Sequence, residues 1–200
     1  MVLRHFLNIL FRPAEAWQAI RSESWTIGGL YLGTIVPLAA IPPLAGYYGT
    51  THHGWQIAGN APVRLTPDSA LPISIAYFIA ILVAFYVIAL LIQWMSSTYG
   101  ERQPLVRCLA LAVYSAIPLL LIGVVQAYPV LWVNLVAGLV AMTYAVYLLY
   151  RGVPIVMDIP DHRGFLFASA VLAVSLVSLV ATLAASVILW DHGIGPMFTH

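Results

Sequence analysis

Residues 108–150 read "CLALAVYSAIPLLLIGVVQAYPVLWVNLVAGLVAMTYAVYLLY", 43 positions without one Asp, Glu, Lys or Arg. A helix that crosses the hydrocarbon layer of a bilayer needs about 20 predominantly apolar residues. One span is too short for this window, and two spans leave about three residues for a turn. The "AYP" at 127–129 stands where that turn must fall. A proline at the first helical position gives up only an N–H that would be orphaned anyway, so Pro129 is expected to open the next helix. The window therefore predicts a tight hairpin of spans 107–126 and 129–150.

Three further windows, 24–63, 69–100 and 164–190, are also free of those four residue types. An ionised group at mid-bilayer is expensive, so each window is expected to hold one span, at 25–48, 71–95 and 165–190. The count is five. The fold class is an all-α integral membrane protein: a five-transmembrane-helix bundle formed by residues 25–200, preceded by an amphipathic, interfacial helical arm over 1–24. Composition agrees, with 62% hydrophobic and 8% charged residues and a mean hydropathy of +0.94. Soluble domains carry about 25% charged residues, and so little polar surface cannot cover a water-soluble core.

Orientation follows from arginine. With five spans, Arg4, Arg12, Arg21, Arg102, Arg107, Arg151 and Arg163 fall on one side and Arg64 alone on the other. Positive charge is retained in the cytoplasm, which predicts a cytoplasmic N-terminus and an extracytoplasmic C-terminus in a multi-pass inner-membrane protein. Trp25, Trp94, Trp132, Trp190, Tyr48, Tyr99, Tyr128 and Tyr150 lie near the expected span ends, as interfacial aromatic residues do. No cleavable signal peptide is expected, because Arg12 and Glu15 interrupt any apolar leader. A net charge of +1 offers no basic field for nucleic acid.

In the arm, Leu3, Phe6, Leu7, Leu10 and Phe11 recur at helical spacing. Pro13 is expected to interrupt and begin a second short helix, with Glu15 near its positive end. Both pieces are expected to lie on the inner leaflet and anchor the first span. Pro37, Pro42 and Pro43 in the first span and Pro118 in the third each remove a backbone hydrogen bond and predict kinks. Ala137, Ala141 and Ala145, and Ser178, Thr182 and Ser186, form small-residue stripes that predict close helix packing or a homo-oligomer seam.

Chemistry is sparse. No G-x-S-x-G, H-E-x-x-H, phosphate-loop or C-x-x-C motif is present. Adjacent His52 and His53 would need further metal ligands, such as Asp68, and Asp158, Asp161 and His162 are better read as electrostatic partners of arginine. The chain is expected to be no enzyme, with no cofactor and no metal. Residues 151–163, stiffened by Pro154 and Pro160 and with Gly152 free to take positive φ at the end of span four, read as a rigid docking turn. The expected partner-binding face joins Arg151, Gly152, Pro154, Asp158 and Pro160 to Pro13, Glu15 and Trp17 of the arm. The alternative is a small-solute or lipid transporter or channel, its kinked first and third spans lining a polar path through Gln93, Tyr114, Pro118, Gln126 and Asn134.

"FRPAEAWQAI", "ERQPLVRCLALAVYSAIPLLL" and "YAVYLLYRGVPIVMDIP", with a last span ending "VILW", together resemble the Yip (Ypt-interacting protein) membrane family, in particular its bacterial YohC-type branch. The resemblance implies five spans, a cytoplasmic N-terminus and an exterior C-terminus. It also implies an adaptor role, since eukaryotic members bind small Rab-type GTPases and one another. It implies no catalytic residue.

Overall fold

A computed structural model describes residues 8–55, 62–99, 102–191 and 195–199. Among the described residues a helical stretch at 8–11 ends before Pro13, as expected, and six elements follow in chain order: α1 (Pro13–Ser22), α2 (Ile27–His53), α3 (Pro67–Tyr99), α4 (Leu105–Ile122, prolonged by a tighter turn Gly123–Ala127), α5 (Leu131–Met157) and α6 (Asp161–Asp191). Five of them, α2 to α6, are long and apolar enough to cross a membrane. Their alternation puts α1, residues 102–104 and the α5–α6 connection on one face, and residues 54–55 and 62–66, the 128–130 turn and the tail 195–199 on the other. Arg12, Arg21, Arg102, Arg107, Arg151 and Arg163 gather toward the arm face, opposite Arg64.

The centre of the bundle is α4. In its apolar window 67% of residues are buried, against 6% for α6. Cys108, Leu109, Leu111, Val113, Tyr114 and Ile117 point into the core on nearly every side of this helix. An all-round apolar sequence suits a helix surrounded by others; the same composition on α6 faces lipid instead.

The first span is broken in the way its prolines require. Tyr31–Ile35 widens into a π turn, and the Val36 N–H reaches back to the Tyr31 carbonyl. Pro37, next in line, has no N–H to continue the ladder, and such bulges are a common local response. A turn at Ala40 restarts the helix with Pro42 in its first positions. Thr26 caps the whole span through the Gly29 N–H at 3.1 Å.

Two boundaries differ from the sequence reading. Helix α5 begins at Leu131 rather than Pro129, because Pro129 and an extended Val130 complete the turn. The Asn134 side chain fixes that turn by donating to the carbonyls of Tyr128 at 3.1 Å and Val130 at 3.0 Å. At its other end α5 runs to Met157, so Arg151, Gly152 and Pro154 are helical. The expected thirteen-residue loop is a turn of Asp158, Ile159 and Pro160. The left-handed residue is Asp158 (φ 55°), not Gly152; aspartate tolerates this conformation better than most side chains. Pro160 two residues on cannot extend the helix, and its carbonyl accepts the Arg163 and Gly164 N–H groups that open α6.

The arm also differs from a pair of helices lying flat on the leaflet. Ala16, Trp17 and Ile20 of α1 are buried in the protein core, and α1 packs along α5. Ahead of it, Ile9 is buried while Phe11 is 80% exposed. Leu3, Phe6 and Leu7 lie outside the described residues. The Tyr144 hydroxyl donates to the Leu10 carbonyl at 2.7 Å. Tyr144 sits one helical stretch of about 10 Å deeper along α5 than Arg151, so the arm dips along the bundle.

Candidate functional site

The arm face is built around contacts between α1 and α5. Trp17 lies against Gly152 so closely that a β-carbon there would stand 2.6 Å from indole Cε2 and 2.7 Å from Cζ2. Glycine allows that approach. Four residues along α1, Arg21 Nη2 donates to Asp158 Oδ2 at 3.0 Å. The Trp25 indole N–H donates to the Ile20 carbonyl at 2.9 Å and its ring leans on Tyr114 at 5.8 Å. This ties the end of the arm to the start of α2 and to the core helix.

Between these elements lies a groove of about 560 Å³, lined by Gln18, Arg21 and Ser22 of α1, Arg107 of α4, and Pro154 and Pro160 of α5 and its turn, with Ile155 and Ile159 as its apolar floor. Two guanidiniums and no carboxylate line it directly; Asp158 reaches Arg21 from the side. Such a groove suits an acidic and partly apolar segment, since guanidinium pairs with carboxylate in two-pronged geometry.

Sequence reasoning missed the residue that holds this face together. Gln103, buried between helices, donates from Nε2 to the Met157 carbonyl at 2.9 Å and accepts from Arg107 Nη1 at 3.1 Å. Its backbone N–H donates to Ser96 Oγ, and its carbonyl accepts from Gln93 Nε2 at 3.0 Å. One glutamine thus closes the end of α5 and joins α3 to α4. A polar residue beside Pro104, between two charge-free windows, was the available sign.

The expected surface set divides. Arg151, Asp158, Pro160 and Glu15 are exposed, Pro13 and Pro154 half-buried, and Trp17 and Gly152 buried on each other. The last two hold the arm in place and present no surface. Glu15 faces Arg12 at 3.6 Å, both well exposed, a pairing that contributes little.

The five residues of the expected polar path do not meet. Gln93 belongs to the arm-face network, Tyr114 is enclosed in the core beside Trp25, and Pro118 lines a shallow groove with Ala137, Ala141 and Tyr144. Gln126 and Asn134 do come together, on the far face, at the rim of an apolar cavity of about 920 Å³. Of the two small-residue stripes, Ala141 and Ala145 are buried, while Ser178 and Thr182 line the space beside that cavity together with Ala145. His52 and His53 stack and tilt against Tyr48, and His53 against Tyr128. Among the described residues, no three His, Cys, Asp or Glu side chains are grouped to hold a metal.

Four apolar spans around a buried fifth, with a docked arm, define a polytopic membrane protein. The chain belongs to the Yip1 domain family, whose model matches residues 7–182. It is 33% identical to the inner membrane protein YohC of Escherichia coli (strain K12) over 191 residues, covering 96% of this chain and 98% of that protein. The same figures hold for the YohC protein of Escherichia coli O6:H1. No solved structure matches the chain. It is a multi-pass protein of the inner membrane.

Proposed function

We propose that the chain is a non-enzymatic inner-membrane scaffold that captures a protein partner on its arm face. The observation that carries this reading is the groove between α1, α4 and the α5–α6 turn, with Arg21 and Arg107 at its wall and Ile155 and Ile159 beneath. The arm is held rigidly by Trp17 on Gly152 and by Arg21 on Asp158, so a partner meets a preformed surface and loses less ordering entropy on docking. The concentration of arginine near that face supports its being cytoplasmic, with the C-terminus on the opposite side. The passage reading has less behind it, because Gln93 and Tyr114 stand apart from the space that Gln126 and Asn134 share.

A photoreactive amino acid placed at Gln18 or Ile155 in living cells tests this. A discrete crosslinked protein, lost on Arg107→Glu while the membrane level of the chain is unchanged, is the expected result. Crosslinks indifferent to Arg107 would overturn it.

A further inference from the structure

A second space lies on the far half of the bundle, apart from the arm-face groove. Two cavities, of about 920 and 440 Å³, adjoin at Tyr77 and Leu119, which line both, and together they outline a slot among α2, α3, α4, α5 and α6. Along α3 its lining runs from Ala70 to Ile88, which at 1.5 Å per residue is about 27 Å, close to the hydrocarbon thickness of a bilayer. The arm-face half of α6 closes the slot below, where Phe167, Ala168 and Val171 are buried. Beyond Ser175 the same helix stands away from the bundle: Leu176, Leu179 and Leu183 are exposed. At the far end the tail folds over as a cover. Thr66 and Met197, and Leu65 and Phe198, pair backbone to backbone, and Phe198, Trp55 and Trp190 line the end of the slot.

We infer that this slot holds the hydrocarbon chain of a lipid with an uncharged polar group, seated lengthwise between α3, α5 and α6. Three observations carry it. Among the described residues, the walls are apolar and contain no Asp, Glu, Lys, Arg or His, so an ionised head meets no counter-charge from them. The described rim offers neutral hydrogen-bonding groups: Gln126, whose Nε2 donates to the Tyr77 hydroxyl at 3.4 Å, with Asn134, Thr50 and Ser74 around it. Ser115, deep in the slot and 6% exposed, has a hydroxyl without a hydrogen-bond partner in the protein. A helical serine usually bonds the carbonyl one turn back; this one is left for a carbonyl, ester or hydroxyl group of an occupant. An apolar space of this size is poorly filled by water, and lipid is what the parted α6 faces.

Gly138 makes the test possible, because it lines the slot and a β-carbon there meets nothing within 4 Å. The full chain is reconstituted in nanodiscs of phosphatidylethanolamine and phosphatidylglycerol. They are doped with a diacylglycerol bearing a diazirine along one acyl chain, or with phosphatidylglycerol bearing the same chain. Irradiation should label peptides of α3 and α6 that face the slot, with the diacylglycerol several-fold above the charged probe. Gly138→Phe should cut that label at least five-fold, as should Thr182→Phe, while thermal unfolding confirms that both variants are folded. Ser115→Ala should lower it less. Label unaffected by either phenylalanine, or confined to the outer-facing Leu135, Val136 and Leu139, overturns the slot as a lipid site. Equal labelling by both probes overturns the uncharged group. Disulfides between protomers of a Ser178→Cys variant at the expense of label would put a second copy there instead.

Discussion

Trp17 and Gly152, 135 positions apart in the chain, are in such close contact that no other residue fits at 152 without moving the indole. The arm's position on α5 depends on this pair. Gly152→Ala should therefore cost about 1–3 kcal/mol, the usual range for forcing atoms into a filled core. It should also release the arm to limited proteolysis near Ser22. Trp17→Ala in the same chain should recover much of the Gly152→Ala loss, because the two effects share one contact and cannot add. Thermal unfolding in detergent, read on the four chains of that cycle, checks both statements. Equal and additive losses would show that the indole is not what restricts position 152.

Asp158 carries two roles that substitution separates. Its carboxylate meets Arg21 at 3.0 Å, but with side chains 42% and 63% exposed that pair contributes at most about 1 kcal/mol. Its backbone is left-handed, which costs a β-branched residue about 1–2 kcal/mol. Asp158→Gly should thus be close to neutral and Asp158→Val clearly destabilising, although both lose the ion pair. If the two variants unfold together, the ion pair is the larger contribution.

The architecture was legible because the bilayer imposes a length on every charge-free run. The window 108–150 had to be two spans, and α4 and α5 are there. What the sequence could not show is where charged residues continue a helix beyond the hydrocarbon. Arg151 ends an apolar run, yet α5 carries on for six more residues because Gly152 packs on Trp17 of α1 and Val153 is buried rather than wet. Proline misled in the same way: Pro154 reads as a loop residue and lies within α5, its ring beside Gly164 of α6. The arm-face groove and the slot were invisible for a different reason. Each is made by residues from three or more helices, and periodicity within one helix says which face is apolar but not what that face meets.

Gln103 satisfies polar groups from three helices at once, so its loss leaves several without partners. Gln103→Leu keeps the approximate volume but abandons the Met157 carbonyl and frees Arg107 Nη1. Leaving a buried acceptor unpaired costs about 1–3 kcal/mol. We expect a fall in unfolding temperature and faster hydrogen exchange at the last turn of α5, with α2 unaffected. Gln103→Glu should fall between, since its carboxylate still accepts from Arg107 but cannot donate to Met157. Exchange unchanged at Val156 and Met157 would mean that the end of α5 is held by packing alone.

Sidedness rests on a few arginines. Arg12, Arg21, Arg102, Arg107, Arg151 and Arg163 all sit toward the face that carries α1, while Arg64 stands alone across the bundle, its carbonyl accepting the Thr199 N–H. Retention of positive charge acts on short segments close to the spans, and each of these is short. Cysteines introduced at Ser22 and Thr199, in a chain whose buried Cys108 is replaced by Ala, should react oppositely with a membrane-impermeant maleimide in intact cells freed of their outer membrane. Thr199→Cys should label at once and Ser22→Cys only after lysis. Adding Arg to the 62–66 segment should erode this difference, because that segment is where the present asymmetry is weakest. Equal labelling of both cysteines before lysis would leave the arm-face groove without a fixed compartment from which to take its partner.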